Sequence, residues 1–441
     1  MSTIIIRNNN TQKCYNYGMK REKQIAAPKG TKDIIPKQIY RWQYVETAFR
    51  CIAQKYGFTE IRTPLIEHTE LFSRGVGDTT DVVEKQMYTF DDYAGRSITL
   101  RPEGTAGIAR AFLENKLFVD TKPNKYWYEI ACFRYEAPQS GRLREFHQFG
   151  IEVFGSNDML ADAEVIALGD EFLRGLGISE LTLKINSIGC PKCRPIYRKQ
   201  LMDYFADSLD ELCDTCKSRY TRNPMRIFDC KSKICQGIAQ NAPVMLDHLC
   251  DECEHDFSEL QENLKALDVS FEIDPRIVRG LDYYTKTAFE FVSEKIGAQG
   301  TVCGGGRYDH LLENIGGDDT PGVGFGLGIE RLLMVMDAAN VEIPEQNKPD
   351  AIVVYIGDET KLKALEIMKN LRDKGLSAEM DVCARNIKGQ FKYADKTGAK
   401  FAVILGEDEL KAGKAKVKDM ISGDQTEYEF SKIAEIISKG N

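Results

Sequence analysis

Arg134, Glu136, Arg142 and Arg144 lie between two apolar runs in the stretch WYEIACFRYEAPQSGRLREFHQFGIEVF, Trp127 to Phe154. The apolar runs read as two strands, and Gln139-Ser140-Gly141 breaks the pattern between them. A hairpin of this kind holds cations and carboxylates over one sheet face, which suits a polyanion; an exposed hairpin that is merely solubilised by its charges shows the same pattern. Phe146, His147, Gln148 and Glu152 continue along the second strand.

Three other stretches display polar groups at element ends. Arg101-Pro102-Glu103-Gly104-Thr105 follows a short strand, Ser97 to Leu100, and opens a helical segment, Ala106 to Leu117. This sets Glu103 and Thr105 at the mouth of a pocket, or simply caps a helix. Arg279-Gly280-Leu281-Asp282-Tyr283-Tyr284-Thr285 enters the strand Ala288 to Val292. The three glycines of Gly304-Gly305-Gly306-Arg307-Tyr308-Asp309 let a backbone approach a ligand closely, or form a flexible turn. Gly322 to Met334 reads as a glycine-rich strand running into a helix that carries Glu330 and Arg331. Neither a P-loop nor a Rossmann fingerprint is present to hold phosphates.

Eight of the 13 cysteines fall between Gly189 and Leu267. Cys190-x-x-Cys193 and Cys213-x-x-Cys216 have roughly zinc-ribbon separation and are expected to complete one structural zinc site, leaving Cys230, Cys235, Cys250 and Cys253 for another. Reduced thiols that fill a core are the alternative. An all-thiolate site leaves no open position, which argues against catalytic zinc. His248 and His255 flank the last cysteine pair, as substitute ligands or as exposed helix residues.

Positioning these groups requires a sheet and covering helices. Ile39 to Tyr56 has apolar side chains at helical spacing, and Phe58 to Ile66 reads as one strand closed by Pro64. Met87 to Phe90 and Leu181 to Ser187 read as strands, and Ala163 to Leu176 as a helix. Residues 189–267 form a helical, cysteine-rich insertion that divides a main domain into 19–188 and 268–340. Residues 1–18 read as a flexible arm and 341–349 as a linker. Residues 350–441 alternate strand and helix patterns, a small α/β domain. There Lys388, Lys392 and Lys396 recur every four residues, so one helical face is basic, extended by Arg385 and Lys400.

Composition bounds the possibilities. With 441 residues, 42% hydrophobic and 29% charged, the chain exceeds one ordinary domain. A net charge of -8 argues against nucleic acid coating the whole surface and allows local basic patches. No stretch resembles a membrane span, Met1 to Lys20 lacks the signal-peptide succession, and the odd cysteine count disfavours a disulfide framework. A cytoplasmic location is expected.

The helix and strand ending at Pro64, the hairpin Trp127 to Phe154, and Gly322 to Met334 resemble, in order, the three signature motifs of class II aminoacyl-tRNA synthetases. RPEGT, RGLDYYT and GGGRYD between them resemble motifs of the histidyl-tRNA synthetase subgroup, and the likeness covers nearly the whole chain after Met19. It implies an α+β fold: an antiparallel sheet flanked by helices, a helical insertion, and a C-terminal α/β anticodon-binding domain, with a homodimer built on the first motif. Cysteine wealth in the insertion is not a defining feature of that family.

The implied chemistry is ATP-dependent activation of L-histidine to histidyl-adenylate, assisted by Mg²⁺, and transfer to the 3′ end of tRNA(His). At the matching positions, Arg134 and Arg279 are the catalytic cations. Arg134, Glu136, Arg142, Arg144, Phe146 and Arg331 are implied to hold ATP. Glu103, Thr105, Gln148, Glu152, Arg279, Tyr283, Tyr284, Gly304, Gly306 and Tyr308 are implied to hold histidine, with Asp309 completing the pocket. Glu330 is expected to orient its neighbours, and His147 to be a satisfied structural histidine, not a base. Lys388, Lys392 and Lys396 become a tRNA surface. The competing readings are a synthetase-like regulatory subunit of histidine biosynthesis and a noncatalytic RNA-binding module; the joint presence of the reactive residues and the last domain favours the enzyme.

Overall fold

The computed structural model describes residues 24–77, 80–120, 122–296, 300–345 and 348–439; the arm expected over 1–18 lies outside them. The chain divides into two compact units, Met1–Ile343 and Pro344–Asn441. Among the described residues, no helix is long and apolar enough to cross a membrane.

The first unit begins with β1 (Thr59–Glu60), β2 (Ile66–His68), β3 (Tyr88–Asp91), β4 (Ser97–Leu100), β5 (Asn124–Phe133) and β6 (Glu145–Phe154). It continues with β7 (Thr182–Ser187), β8 (Glu272–Ile273), β9 (Thr285–Val292), β10 (Thr301–Arg307) and β11 (Gly322–Gly328). Eight of these form one sheet in the order β1-β5-β6-β11-β10-β9-β7-β8. The six central strands are antiparallel, and the short edge strands β1 and β8 run parallel to β5 and β7. A separate sheet has the order β2-β4-β3.

The single strand expected over Phe58 to Ile66 is instead two strands in two sheets. Pro64 has no N–H for a ladder. Between β1 and β2, Ile61 N–H still donates to Trp127 O on β5 at 2.9 Å, after which the carbonyls of Thr63 and Pro64 accept from the Arg101 guanidinium at 3.0 and 3.3 Å.

Helices cover one face of the large sheet. Pro36–Lys55 starts with proline, whose fixed φ suits a first turn. It buries Trp42, Val45, Phe49 and Ala53 at helical spacing. Phe49 stacks on Phe149 at 4.5 Å and meets Trp127, Phe172 and Phe325 edge-on. Full burial of such a ring stabilises the fold by roughly 2–3 kcal/mol. The helix Met159–Gly175 is capped by Asp158, which accepts from Leu160 N–H at 2.8 Å, and its apolar side joins the same core.

The cysteine-rich stretch is helical as expected, with helices Arg194–Ala206, Asp214–Arg222, Lys233–Ala239 and Asp251–Ala266. The first three surround a small core of their own that includes Tyr197, Leu201, Phe205 and Ile227. The fourth packs Phe257, Leu260 and Leu264 into the main core, so the insertion is rooted on the sheet.

The second unit contains β12 (Ala351–Tyr355), β13 (Ala378–Met380), β14 (Phe401–Leu405), β15 (Lys414–Asp419) and β16 (Gln425–Glu429), in the order β13-β12-β14-β15-β16. β13, β12 and β14 are parallel, and β15 and β16 extend the sheet antiparallel. Every residue of β12 is buried because helices Lys361–Asp373 and Ile433–Lys439 cover one face and Ile387–Thr397 the other. The turn of helix Glu407–Ala412 has no counterpart in the sequence expectations.

Candidate active site

A cavity of about 290 Å³ opens over the large sheet where β5, β6, β10 and β11 meet the segment before β9. Its wall includes Glu103, Thr105, Arg134, Glu136, Arg142, Phe146, Gln148, Arg279, Tyr283, Tyr284, Gly304 and Arg331. Residues nearly 230 positions apart in sequence therefore share one cavity, as the antiparallel pairing of the central strands requires.

Missing Cβ atoms shape its floor. Gly304 faces Gly326 across β10 and β11, and a Cβ on Gly304 would lie 2.7 Å from both terminal nitrogens of Arg279. On β11, a Cβ on Gly324 would collide with the Glu152 carboxylate. Glycine at these positions leaves room for a charged side chain beside the sheet.

One end of the cavity is a buried hydroxyl and carboxylate cluster. Glu152, on β6, has no exposed surface; Thr105 Oγ1 donates to its Oε1 at 2.7 Å, Tyr128 Oη donates to the same oxygen at 2.9 Å, and Tyr308 Oη donates to Oε2. Burial pushes the Glu152 carboxyl up to about 8, against the downward pull of those three donors. Above it, Tyr283 lies 4.6 Å from Tyr284 and 5.5 Å from Tyr308, making an aromatic wall.

Glu103 lies at the start of the helix Thr105–Glu114, and its two oxygens accept from the N–H groups of Thr105 and Ala106, both at 2.8 Å. Burial raises its carboxyl above the ordinary range despite these bonds. A carboxylate has further lone pairs, so it can still accept from a ligand cation. Gln148 accepts from Cys132 Sγ at 3.3 Å, leaving its amide N–H groups for other partners.

The other end is cationic. Arg134 donates from Nε to Pro102 O at 2.8 Å and lies over the Phe146 ring at 5.1 Å. Arg142 pairs with Glu136 at 3.2 Å. Arg331 donates to Gly141 O at 3.2 Å and Thr301 O at 2.9 Å, which ties the hairpin loop to β10. Burial and the nearby Arg142 lower its pKa, against the upward pull of Glu136 and Glu290. Arg279 donates to Glu290, lies over the Tyr284 ring at 5.2 Å, and keeps a buried Nε without a hydrogen-bond partner among the described residues. Burial opposes its charge, but Tyr284 and Glu290 outweigh burial and raise its pKa.

Several expected residues sit elsewhere. Glu152 and Tyr308 lie beneath the cavity wall, joined to it through Thr105 and Tyr128. Gly306 is strand backbone, where a Cβ would collide with Thr287 O. Arg144 lies outside the wall, over the Tyr135 ring at 4.0 Å, with Nε donating to Glu136 O at 3.2 Å. Asp309 turns back to Arg307 and Thr285, because Arg307 is buried with Asp162 and demands anionic neighbours. His147 is a satisfied histidine: Glu330 accepts from its backbone N–H at 3.0 Å and contacts its Nδ1 at 2.9 Å. Burial works against its charged form, and Glu330 outweighs that and raises its pKa.

Tyr128 and Glu290 were not anticipated. Tyr128 had a legible signal: it lies opposite Gly150 across β5 and β6, and a Cβ on Gly150 would enter its ring. Glu290, the carboxylate holding Arg279, stands in an apolar strand with no such mark.

The cysteines group differently from the expectation. Cys190 and Cys193 meet Cys250 and Cys253, and Cys213 and Cys216 meet Cys230 and Cys235. The strand and helix order brings the first and last pairs together, whereas adjacency in sequence suggested the first two. His255 instead lies beside Asp256 and Glu259 on an exposed helix face.

In the second unit, Lys388, Lys392 and Lys396 are exposed on helix Ile387–Thr397 and have no ion-pair partner among the described residues. Arg385 pairs with Asp381, and Lys400 with Asp350 at 3.3 Å.

Comparison with known proteins agrees with this geometry. The family profile described as histidyl-tRNA synthetase matches residues 30–192 and 209–332, and that of the anticodon binding domain matches residues 350–440. The histidine--tRNA ligase of Caldanaerobacter subterraneus is 53% identical over 411 residues, 93% of this chain and 99% of that protein. That of Clostridioides difficile is 51% identical over 410 residues, 93% and 98% of the two chains. Among solved structures, apo histidyl-tRNA synthetase of S. aureus superposes with a TM-score of 0.80 at 37% identity, covering 94% of this chain and all of that one. The sheet, the separate C-terminal domain and these matches together place the protein among the class II aminoacyl-tRNA synthetases, and the chain belongs to the histidyl-tRNA synthetase family.

Proposed function

We propose that the chain activates L-histidine with ATP as histidyl-adenylate and transfers it to the 3′ end of tRNA(His), releasing AMP and diphosphate. The observation that carries this is one cavity with Tyr283 and Tyr284 on its wall at one end, backed by the buried Glu152 beneath it, and Arg134, Arg142, Arg279 and Arg331 at the other. The first end suits an imidazole and the second a triphosphate.

In this reading Tyr283, Tyr284 and Tyr308 pack the imidazole, and Glu152 fixes the hydroxyls that read its ring nitrogens. Gln148 supplies a donor, Gly304 leaves room, Gly306 lets β10 pack closely on β9 beneath it, and Glu103 with Thr105 accepts the substrate ammonium. Arg134 and Arg279 hold the histidine carboxylate against the α-phosphate and stabilise charge as its oxygen attacks. Arg142 and Arg331 bind the outer phosphates, Phe146 stacks on adenine beside Glu136, and Arg144 braces the loop at its edge. Glu136 and Glu330 are carboxylates on the cavity wall and fit a hard cation carried in by the triphosphate. Mg²⁺ bound there would neutralise charge on the leaving diphosphate. No side chain at the site is an evident base for the transfer step, so a phosphate oxygen of the adenylate accepts the ribose proton.

Residues 19–188 and 268–340 form the catalytic domain, 189–267 an insertion that carries structural zinc, and 350–441 the anticodon-binding domain, with Lys388, Lys392 and Lys396 against tRNA phosphates. A homodimer is supported by Leu65, Ile66, Phe90 and Tyr93, large apolar side chains exposed on and beside the small sheet. Abundant free thiols suit a reducing, cytoplasmic setting.

The test is ATP–pyrophosphate exchange across a panel of amino acids. Exchange with histidine alone is expected, followed by charging of tRNA(His). Silence across the panel in dimeric, metal-replete protein would move the reading to a regulatory subunit or an RNA-binding module.

A further inference from the structure

We propose that the insertion binds two zinc ions, each in its own tetrathiolate site, and that the two sites clamp the segment 278–286 behind the histidine pocket. The clamp rests on the histidine-pocket reading above; the metal sites rest on sulfur geometry alone.

The sulfurs of Cys190, Cys193, Cys250 and Cys253 lie within 4.8 Å of one another, as do those of Cys213, Cys216, Cys230 and Cys235. Cys190 Sγ is 3.7 Å from Cys193 Sγ and 3.8 Å from Cys250 Sγ, and Cys213 Sγ is 3.7 Å from Cys230 Sγ. Four sulfurs at a Zn–S distance of about 2.3 Å in a tetrahedron lie about 3.8 Å apart. A disulfide needs about 2.05 Å. An iron–sulfur cluster interposes several irons and sulfides and spreads its cysteines wider. The geometry is therefore that of a mononuclear tetrahedral site, twice.

Backbone N–H groups point at the sulfurs as well. Lys192 N–H donates to Cys190 at 3.4 Å and Cys250 N–H to Cys193 at 3.1 Å. Cys213 N–H donates to Cys235 at 3.3 Å and Ser232 N–H to Cys230 at 3.4 Å. Such bonds stabilise thiolates and orient them toward a shared ion. Each quartet also joins separate pieces of the insertion. The first ties the turn after β7 to the start of helix Asp251–Ala266, and the second ties helix Asp214–Arg222 to the start of Lys233–Ala239.

From each quartet, arginines reach the segment that carries Arg279, Tyr283 and Tyr284. Arg194, the residue after Cys193, donates to Ile188 O at 3.3 Å and to Tyr284 O. Arg226, four residues before Cys230, donates to Gly280 O at 3.1 Å, and Asn223 donates to Asp282 at 3.1 Å. Arg219, three residues after Cys216, in turn holds Arg226 O at 2.8 Å. Lys286, at the far end of the segment, pairs with Glu252 and Asp256 on the helix that begins at the first quartet. Arg194 and Arg226 are positioning residues: they grip backbone carbonyls, and Tyr284 and Arg279 meet the substrate.

The first measurement is metal content by mass spectrometry with X-ray absorption on untagged wild-type protein saturated with zinc and freed of excess. Two zinc ions per chain in an all-sulfur shell are expected; fewer than two, oxygen or nitrogen ligands, or iron–sulfur absorption would overturn the two-site assignment. Cys253→Ser and Cys216→Ser should each retain one ion, and loss of both ions from either folded variant would refute independent sites. For the clamp, Arg194→Lys and Arg226→Lys keep the charge and lose the guanidinium fork. With two zinc ions still bound, the KM for histidine should rise about tenfold in both variants, and the KM for ATP should stay put in Arg194→Lys, whose guanidinium holds Tyr284 O. An unchanged histidine KM in both variants would overturn the clamp and leave adenylation standing. Absence of histidine-dependent exchange in the wild type would instead fail the function reading, with the zinc count unaffected.

Discussion

Thr105 Oγ1 donates to Glu152 Oε1 across 2.7 Å, joining the first turn of a helix to the buried half of β6. Two tyrosine hydroxyls converge on the same carboxylate. This end of the cavity is thus built on a buried acid that lies beneath the cavity wall.

Replacing that acid tests both its roles. Above about pH 8, where Glu152 is ionised, Glu152→Gln leaves the shape intact and turns an acceptor oxygen into an N–H, so the tyrosine hydroxyls lose a common partner. Expected is a fall in kcat/KM for histidine of roughly tenfold to a hundredfold with the KM for ATP unaffected, read by pyrophosphate exchange.

The same variant carries a pH signature. The Glu152 carboxyl is raised to about 8 in the fold, against about 4.3 for a free glutamate. Between those values the folded chain holds a proton that the unfolded chain has lost, so stability from this group is full below about pH 4.3 and is lost as pH rises toward 8. Wild type without ligand should therefore lose roughly 2–5 kcal/mol relative to Glu152→Gln across that window. Urea midpoints at pH 5.5 and 8.5 measure it. A difference between the two proteins that does not change with pH would refute the raised value.

Gly304→Ala addresses the other end. The new Cβ would stand 2.7 Å from both terminal nitrogens of Arg279, closer than carbon and nitrogen tolerate, and Glu290 and the Tyr284 ring hold the guanidinium in place. The guanidinium has to leave its place on the cavity wall, from which the proposed mechanism has it meet the reacting phosphate. The expected result is a loss of about a hundredfold or more in kcat for exchange, with the thermal midpoint nearly unchanged. Wild-type kcat in the variant would show that Arg279 does not act from this position.

Much of this arrangement was legible because local chemistry announces it. Arg134, Glu136 and Arg142 stand where a strand pattern breaks, Glu103 and Thr105 where a helix begins, and Arg331 after a run of glycines; each is a place where a polar side chain needs a ligand or a cap. Tyr128 was not singled out, although Gly150 lies opposite it once the hairpin register is set, and a hairpin pairing drawn from the sequence would have brought the two together. The cysteine pairing was misread because Cys193 and Cys213 are close along the chain, while the fold returns residue 250 to the end of β7. Arg144 matched its motif in type and position, but Tyr135 offers its guanidinium a ring face outside the cavity.

Arg307, inside the glycine-rich GGGRYD stretch, is structural. Its side chain is 1% exposed and that of Asp162 is fully buried, and the guanidinium also donates to Ser156 O at 2.8 Å and Asp158 O at 3.3 Å. Asp162→Asn would leave a buried cation without its main counter-ion and is expected to cost about 3–5 kcal/mol. The guanidinium chloride midpoint at pH 7 reads this directly. A shift within error of zero would mean that Asp309 alone satisfies the charge.

The basic face of helix Ile387–Thr397 makes the last prediction. Arg385 and Lys400 are engaged by Asp381 and Asp350, which leaves Lys388, Lys392 and Lys396 as the exposed cations without an ion pair among the described residues. A face that meets RNA phosphates releases counter-ions on binding, so its contribution falls with salt; a merely solvated face releases none. Replacing all three with serine should weaken tRNA(His) binding and lower the slope of log K against log salt by about 2, since each single-strand phosphate contact contributes about 0.7. Histidine-dependent exchange, which involves no tRNA, should be unchanged in the same protein. Binding measured from low to moderate salt separates the outcomes: an unaltered affinity and slope would assign the lysines to solvation, whereas lost exchange would show that the substitutions had damaged the fold.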